Sequence, residues 1–417
     1  MNLYRILRKR AQTRKPIRVG VIGAGKFGSM FLAQAHLMEG IQVVGVADID
    51  VQRASNALRK TGWPRSSPKV ARKSEEISDA AAKGQVALTD NNAALIEAEL
   101  DVIIECTGVP EAAVINALLA IEAGCHVVMV TVEADVLLGP LLYQRAKQAG
   151  VVYSLAYGDQ PALICELVDW ARTCGFEVVA AGKGTKYLPF YRYSTPETVF
   201  EQYGFSPQQV KEGDYNARMY NSFLDGTKSA IEMAAIANAT GLIPQVKGLG
   251  FHPIGVGELA QHLKPKSDGG LLSRSGTVEV VSSIKRNGEA VENDLRWGVY
   301  VTFRTNNEYV KQCFAEYGLY TDRSGWYASL HRTHHLIGLE LGVSVASAAL
   351  RHEPTGSSKE FVGDVPAVAK RNLVPGDVLD GEGGYTVYGN IVEAPQADDL
   401  QLRPTSHHRW RTFADDR

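Results

Sequence analysis

The stretch "RVGVIGAGKFGSMFLAQAHLMEGIQVVGVADID", residues 18–50, determines the expected fold. An apolar, β-branched run typical of a buried strand leads into a glycine-rich turn, a helical segment and a second apolar strand. Gly23, Gly25 and Gly28 satisfy the pattern G-x-G-x-x-G at the strand-to-helix turn. There the first glycine allows the turn, the second lets the backbone approach a diphosphate, and the third lets helix and strand pack closely. The stretch therefore predicts a dinucleotide-binding βαβ unit.

Cofactor preference depends on the end of the second strand. Asp48 lies twenty residues after Gly28, where an acid hydrogen-bonds the adenosine ribose hydroxyls and repels a 2′-phosphate. Arg53 lies close to Asp48 in the sequence, and a cation there reduces the expected preference for NAD over NADP. We expect NAD or NADP as the cofactor, with NAD favoured by Asp48, and we place Lys26 and Phe27 in the same binding loop.

The composition narrows the class of protein. The 417 residues include 45% hydrophobic and 22% charged residues, with a formal net charge of −2. This balance gives no general attraction to nucleic acid or to an acidic membrane, and no apolar run is long enough to span a bilayer. Five scattered cysteines without zinc spacing suit a reducing cytoplasm and predict no metal site. We expect a cytoplasmic protein that binds a small molecule, with no nucleic-acid or membrane partner.

The pattern of apolar, polar and glycine-rich segments indicates an α/β protein that divides into five parts along the chain. An N-terminal Rossmann domain with a parallel sheet follows a basic extension, which is expected to be an amphipathic helix. An α+β catalytic and dimerisation lobe comes next, then a small C-terminal β-rich appendage and a tail without periodicity. The expected bounds are residues 1–17, 18–160, 161–355, 356–403 and 404–417. Because a sheet in such a lobe commonly pairs with its own copy, we expect a homo-oligomer.

The sequence also predicts local structure in shorter stretches of the first domain and of the lobe. The polar residues 59–85 are expected to form an edge loop with a short helix. The alternating residues 276–284 and 297–305 indicate strands of an antiparallel sheet.

Two strand ends supply further candidates for the cofactor site. "IIECTGVPE" ends a strand at Thr107 and Gly108, where the chain often runs beneath the nicotinamide ribose in such domains. "VTVEADVLLGP" places Glu133 just beyond another strand, where it can face the cofactor. The neighbouring Asp135 is expected to be an ordinary turn or N-cap residue.

Candidate catalytic residues lie in two motifs. "AAGKGTKY" places Lys183 and Lys186 in an expected glycine-rich turn, and "DGTKSAIEMAAIANATGL" places Lys228 and Glu232 on one helical face that ends near Gly241. A lysine can polarise a carbonyl and relay a proton, or hold a carboxylate or phosphate. We expect Lys183 to polarise or protonate the substrate oxygen, Lys186 and Lys228 to hold an anionic group, and Glu232 to orient one of them. The alternatives are exposed lysines and an ordinary surface pair.

Two later patches carry weaker signals. The loop "SDGGLLSRSG", with Arg274, can cradle an anion. "LHRTHHLIG" contains His331, His334 and His335, but metal binding needs a further ligand that the sequence does not identify.

"GAGKFG" with its acid-terminated second strand, "ECTG", "VEADVLLGP", "AGKGTKY" and "DGTKSAIEMAAIANATGL" together resemble the homoserine-dehydrogenase-like oxidoreductases that carry a C-terminal SAF domain, over most of residues 18–400. The resemblance implies a Rossmann domain, a catalytic α/β lobe and a small β-clip domain. One branch of that family resembles an NADPH-dependent 1-deoxy-D-xylulose 5-phosphate reductoisomerase. In homoserine dehydrogenases a catalytic lysine stands on a helix similar to residues 230–241, whereas Glu232 takes its place here and Lys228 lies one turn earlier.

The expected function is hydride transfer between nicotinamide and a small polar hydroxy or keto compound, one that carries a carboxylate or a phosphate. Two alternatives stay open. One is a rearrangement before reduction, as in the reductoisomerase branch. The other is a non-catalytic NAD sensor or scaffold, whose activity would depend on Gly25 but not on Lys183.

Overall fold

The computed structural model describes residues 2–13, 15–213, 215–405 and 410–411. The chain divides into two units, each formed by two separate stretches of sequence. The first unit contains Met1–Leu163 and Leu336–Lys359, and the second contains Ile164–His335 and Glu360–Arg417. This division differs from the expected bounds, because residues 336–359 belong with the first unit rather than with the catalytic lobe.

A seven-stranded parallel sheet forms the centre of the first unit. Its strands are β1 (Ile17–Ile22), β2 (Ile41–Ala47), β3 (Pro68–Val70), β4 (Val86–Thr89), β5 (Val102–Glu105), β6 (His126–Met129) and β7 (Tyr153–Leu155). Their spatial order is β3-β4-β2-β1-β5-β6-β7, so the winding reverses between β1 and β5. Apart from the added edge strand β3, this is the order of a doubly wound nucleotide-binding sheet. The predicted Rossmann domain is confirmed.

Helices pack on both faces of this sheet. They are α1 (Leu3–Gln12), α2 (Lys26–Ala35), α3 (Val51–Lys60), α4 (Ser74–Ala82), α5 (Asn92–Ile96), α6 (Pro110–Glu122), α7 (Val132–Ala149) and α15 (Gly342–Arg351). Alternate residues of β1 enter two separate cores, with Val19 and Val21 in one and Ile22 in the other. The first core contains side chains of α2, α3 and α15, and the second contains side chains of α4 to α7. The basic extension forms the expected helix, and its residues Met1 and Arg14 lie outside the described residues.

The polar stretch 59–85 contains more regular structure than expected. Beside helix α4 it supplies the edge strand β3, which pairs in parallel with β4. The cause is the apolar side of α4, where Ile77 and Ala80 are buried in the core and bring the preceding residues alongside β4. The strand was not predicted because its sequence is charged, and an edge strand tolerates exposed polar side chains.

The returning segment 336–359 is anchored to β7 and α7 of the first unit. The amide of Leu155 donates to the carbonyl of Gly356 at 2.8 Å. Asp135 is fully buried and accepts hydrogen bonds from the Tyr153 hydroxyl at 2.9 Å and the Ser358 hydroxyl at 2.6 Å. Asp135 is therefore an internal anchor for this segment, not the ordinary N-cap residue that was expected.

A six-stranded mixed sheet forms the centre of the second unit. Its strands are β8 (Glu177–Thr185), β9 (His252–Pro253), β10 (Thr277–Ser282), β11 (Val299–Arg304), β12 (Tyr320–Thr321) and β13 (Tyr327–Arg332), in the order β12-β13-β11-β8-β10-β9. β8 lies between β11, to which it is antiparallel, and β10, to which it is parallel. The expectation of an antiparallel sheet is therefore wrong for β10, which does not pair with β11.

Helices of the second unit lie before and between the sheet strands along the chain. They are α8 (Gln160–Thr173), which crosses from the first unit, α9 (Val199–Tyr203), α10 (Pro207–Glu212), α11 (Ala217–Leu224), α12 (Thr227–Thr240), α13 (Leu259–His262) and α14 (Glu308–Glu316). Gly241 ends α12 in the left-handed conformation, as its sequence predicted.

The C-terminal region consists of short paired strands. They are β14 (Gly363–Asp364), β15 (Ala367–Ala369), β16 (Val378–Leu379), β17 (Val387–Gly389), β18 (Val392–Glu393) and β19 (Trp410–Arg411), with helix α16 (Ala394–Asp399). β19 pairs with β16, so part of the expected tail is ordered in a strand, while residues 406–409 and 412–417 lie outside the described residues. Identity with a SAF domain stays a prediction. No helix of the described residues is both long and apolar enough to cross a membrane.

Candidate functional site

The glycine loop has the geometry that a dinucleotide needs. Gly23 has a positive φ of 104°, and a side chain there would overlap the backbone carbonyl of Cys106. A side chain at Gly28 would overlap the carbonyl of Gly23, whereas one at Gly25 would meet no atom within 4 Å. Gly25 is the N-cap of α2 and supplies no side-chain cap, so the first-turn amides of α2 remain open to an anion. The residues present therefore fit a diphosphate.

Loop residues Lys26 and Phe27 begin α2 beyond this open space. Lys26 is exposed, and Phe27 packs partly against the core of the first unit. Their assignment to the cofactor site stays a prediction.

Asp48 and Arg53 form a compact ion pair beside the glycine loop. Asp48 is 5% exposed, and its carboxylate accepts hydrogen bonds from the amides of Ala24 and Asp50 at 2.8 Å each. Arg53 adds Nη2 at 2.5 Å and Nε at 3.1 Å. Burial alone would raise the pKa of Asp48, but the hydrogen bonds from Arg53, Ala24 and Asp50 outweigh it, and the pKa is lowered. Asp48 is thus ionised, and its charge is compensated by Arg53.

Glu105, at the end of β5, forms hydrogen bonds with residues that follow β5 and β6. Its buried carboxylate accepts hydrogen bonds from the hydroxyls of Thr107 and Thr131 at 2.6 Å each. The Thr131 hydroxyl in turn accepts the amide of Gly108 at 3.1 Å. Burial raises the pKa of Glu105 against these hydrogen bonds. This residue was not predicted from the sequence, although an acid that ends the apolar run "VIIE" two residues before Thr107 was a usable signal.

Glu133 is the second residue of α7 and is buried. α7 follows β6, so Glu133 lies past the same edge of the parallel sheet as Gly23 and Thr107. Its expected role at the cofactor stays a prediction.

Lys183 and Glu232 form a buried ion pair in the second unit. The Lys183 ammonium donates to Glu232 Oε2, and the two side chains are 7% and 4% exposed. Lys183 does not lie in a turn, as was expected, but in β8. Its neighbours Gly182 and Gly184 are required there because side chains would overlap the carbonyls of Glu279 and Leu295. The pair joins the middle sheet strand to α12, and buried charges are retained only when they are compensated in this way.

Ser229 accompanies this pair on α12. It lies three residues before Glu232 and so on the same side of the helix. Its hydroxyl is buried and has no hydrogen-bond partner among the described residues. Lys228 precedes Ser229 and is half-buried. The alternative of an ordinary surface pair between Lys228 and Glu232 is not what the structure shows, because Glu232 is buried against Lys183.

Lys186 follows β8 and lies near a second cation that the sequence did not reveal. Its ammonium donates to the carbonyl of Gln202 at 2.8 Å and lies 5.4 Å from the centre of the Tyr203 ring. Burial and the nearby Arg296 guanidinium lower the pKa of Lys186. No local pattern marks Arg296, because it approaches Lys186 only through the pairing of β11 with β8.

The weaker candidates have other partners. The Arg274 guanidinium pairs with Glu393 and donates to the carbonyl of Pro244 at 3.2 Å, so it holds the C-terminal region instead of an expected anion. His335 Nδ1 lies 2.7 Å from the carbonyl of Trp297, and His334 Nδ1 lies 2.9 Å from the Thr333 hydroxyl. Within the described ranges, no three His, Cys, Asp or Glu side chains converge as metal ligands.

Among solved structures, the chain resembles a homoserine dehydrogenase from Thiobacillus denitrificans, at 14% identity over 96% of this chain and 99% of that one, with a TM-score of 0.47. It also resembles the UDP-N-acetylglucosamine 3-dehydrogenase GnnA from Acidithiobacillus ferrooxidans, at 14% identity over 82% and 92%, with a TM-score of 0.41. A third is 1-deoxy-D-xylulose 5-phosphate reductoisomerase from Zymomonas mobilis in complex with NADPH, at 16% identity over 52% of this chain, with a TM-score of 0.35. The match spans only 56% of that reductoisomerase.

Two family models match the sequence in succession. Residues 19–155 match the model described as homoserine dehydrogenase, NAD binding domain, and residues 158–341 match the model described as oxidoreductase DRL, catalytic domain. No curated protein matches the chain. The chain therefore combines an NAD-binding domain of the homoserine dehydrogenase type with a catalytic domain of the oxidoreductase DRL type, the domains of an NAD(P)-dependent oxidoreductase.

Proposed function

We propose that the protein is a dehydrogenase or reductase that transfers a hydride between nicotinamide C4 and a carbonyl or alcohol carbon of a small polar substrate. One observation carries the proposal: a buried lysine–glutamate pair lies in the domain of catalytic type, in a chain whose other domain has a complete dinucleotide loop. When bound, the nicotinamide dinucleotide supplies or takes up the hydride.

Lys183 is the proposed proton carrier. In the direction of reduction its ammonium donates a proton to the substrate oxygen as the carbonyl carbon gains the hydride, and a C–OH group results. In the reverse direction the neutral amine accepts that proton. Glu232 accepts a hydrogen bond from the ammonium and holds it in place. The Ser229 hydroxyl, which is buried and has no hydrogen-bond partner among the described residues, is available to the substrate or to Glu232.

The substrate is proposed to carry a carboxylate or a phosphate. Lys186 is half-buried near Arg296, and burial together with the Arg296 guanidinium lowers the pKa of Lys186. An anion between two such cations relieves their repulsion and gains charge-assisted hydrogen bonds. Lys228, on the side of α12 near Glu232, is a third candidate for the same group.

Both NAD and NADP are proposed as cofactors, in place of the preference for NAD based on Asp48 alone. Asp48 is largely saturated with donors, and Arg53 compensates its charge. The Arg53 side chain is 51% exposed, so its guanidinium can also meet a 2′-phosphate.

A rearrangement before reduction is the second candidate, because the same two cations suit a sugar phosphate. The non-catalytic sensor is the third. It is the outcome to expect if coenzyme binds but no substrate turns over.

The test is coenzyme oxidation and reduction by the purified protein, with NADH and NADPH separately. The panel contains small hydroxy and keto acids, amino alcohols and 1-deoxy-D-xylulose 5-phosphate. Turnover that is lost in Lys183→Met supports the proposal. Turnover with the sugar phosphate alone selects the rearrangement, and tight coenzyme binding without turnover in the whole panel selects the sensor.

A further inference from the structure

We infer that Lys370, in the C-terminal region, is a positioning residue for the start of α12. The inference rests on the proposed function in one respect, that α12 carries Glu232 at the reacting centre. Lys370 lies on the segment after β15, far along the chain from α12, and nothing in the local sequence marks it. Its side chain is 3% exposed.

The ammonium of Lys370 is fully used by the protein. It donates to Asp225 Oδ2, to the carbonyl of Ser194 and to the carbonyl of Gly384, each at 2.8 Å. An ammonium has three donors and no acceptor, so no donor remains for a substrate. Lys183 differs, because the described residues give its ammonium a single partner, Glu232. Lys370 therefore acts by holding other groups and not by contacting the substrate.

Asp225 connects Lys370 to the start of α12. Its side chain is fully buried, and Oδ1 accepts the amide of Thr227, the first residue of α12, at 2.9 Å. Burial raises the pKa of Asp225, and the Lys370 ammonium opposes that rise. Without Lys370 the buried carboxylate loses its counter-charge and either takes up a proton or moves toward water. In either case the first turn of α12 loses its fixed cap.

The C-terminal region also forms hydrogen bonds with both ends of α12. The amide of Gly389 donates to the Thr227 hydroxyl at 2.8 Å. At the other end, Asn238 Oδ1 accepts the amides of Val362 and Gly363 at 2.8 Å and 2.9 Å. Both ends of α12 are thus fixed by residues beyond 360, which makes the C-terminal region a structural part of the catalytic unit.

The test compares Lys370→Met with Arg371→Met in the full-length protein. Arg371 is the next residue, forms its own ion pair with Asp377 and is half-exposed, so it controls for loss of a cation in this segment. Hydrogen exchange of residues 227–231 reports on the first turn of α12, and kcat, KM and coenzyme affinity report on the site.

For Lys370→Met we expect exchange in this turn to rise by about tenfold or more, and kcat to fall by about tenfold or more, because small misplacements of reacting groups are costly. Coenzyme affinity should stay within about twofold, as should every measurement on Arg371→Met. Measurements are made well below each variant's unfolding midpoint, where a merely stabilising residue would leave kcat unchanged.

A second variant covers the case in which Lys370→Met does not fold. Lys370→Met/Asp225→Asn removes both charges, so no unpaired carboxylate is buried, and the anchor is still absent. We expect the same fast exchange and low kcat in the double variant. Exchange and kcat equal to wild type in a folded variant would overturn the inference. If the wild type shows no turnover, the proposed function fails separately, and the exchange result still decides the role of Lys370.

Discussion

At the scale of single residues, Asp48 and Arg53 are the pair proposed to meet the ribose end of the coenzyme. Asp48 accepts hydrogen bonds from Ala24 and Asp50 as well as from Arg53, so few of its acceptor positions remain for ribose hydroxyls. Removing Arg53 would release the carboxylate to accept ribose hydroxyls and would leave its charge free to repel a 2′-phosphate.

We therefore expect Arg53→Ala to lower the ratio of kcat/KM for NADPH to kcat/KM for NADH by about tenfold or more, the effect of losing a charge-assisted hydrogen bond. Arg59→Ala, on the exposed side of the same helix α3, is the control and should leave the ratio unchanged. An unaltered ratio in Arg53→Ala would show that the guanidinium does not act on the 2′ position.

Two glycines of the same loop should respond in opposite ways. In Gly25→Ala the added methyl group enters open space, so we expect an unchanged unfolding midpoint but coenzyme binding weakened by about tenfold or more. In Gly28→Ala the methyl group overlaps the Gly23 carbonyl, and we expect destabilisation of about 1–3 kcal/mol. Thermal unfolding and coenzyme titration of both variants test this. Loss of stability in Gly25→Ala would contradict the assigned role.

At the scale of elements, β8 requires glycine at the positions where backbone atoms of neighbouring segments come very close. A methyl group on Gly182 would overlap the carbonyl of Glu279 in β10, and backbone cannot yield as a flexible side chain does. We expect Gly182→Ala to cost about 3 kcal/mol or more in free energy of unfolding, measured with urea. Gly257→Ala is the control, since its nearest neighbours would be Tyr320 ring atoms at 3.7 Å. Equal stability of both variants would exclude this constraint.

The same glycines show where sequence reasoning succeeds and where it fails. The loop of Gly23, Gly25 and Gly28 was predictable because its geometry is set within a few residues of chain. Gly182 and Gly184 indicated a turn, because the residues that crowd them, Glu279 and Leu295, come about a hundred residues later in the chain. The pair of Lys183 and Glu232 was foreseen as two separate candidates, but their contact depends on the packing of α12 against the sheet that contains β8.

At the scale of the whole molecule, the chain returns to the first unit at residues 336–359 after building most of the second. No change in composition marks that return, which is why the expected lobe continued to residue 355. The return is fixed by the buried Asp135, which accepts hydrogen bonds from Tyr153 and Ser358.

Asp135 should make stability depend on pH. Burial raises its pKa from 3.8 to about 6. The folded state therefore holds a proton that the unfolded chain has already released between these values, and stability falls as pH rises through this window. Relative to Asp135→Asn, we expect the wild type to lose about 3 kcal/mol of unfolding free energy between about pH 3 and about pH 8. Parallel curves for the two proteins, measured by urea unfolding, would contradict the raised pKa.

The most direct test of hydride transfer with Lys183 as proton carrier is the single-turnover rate with the substrate found in the panel. We expect Lys183→Met to lose about a hundredfold or more in rate, while coenzyme affinity is unchanged. Lys183→Met/Glu232→Gln serves if the buried carboxylate prevents folding. Lys285→Met, which removes an exposed lysine paired with Glu289, is the control and should keep the wild-type rate. A wild-type rate in folded Lys183→Met would contradict the role of Lys183 in catalysis.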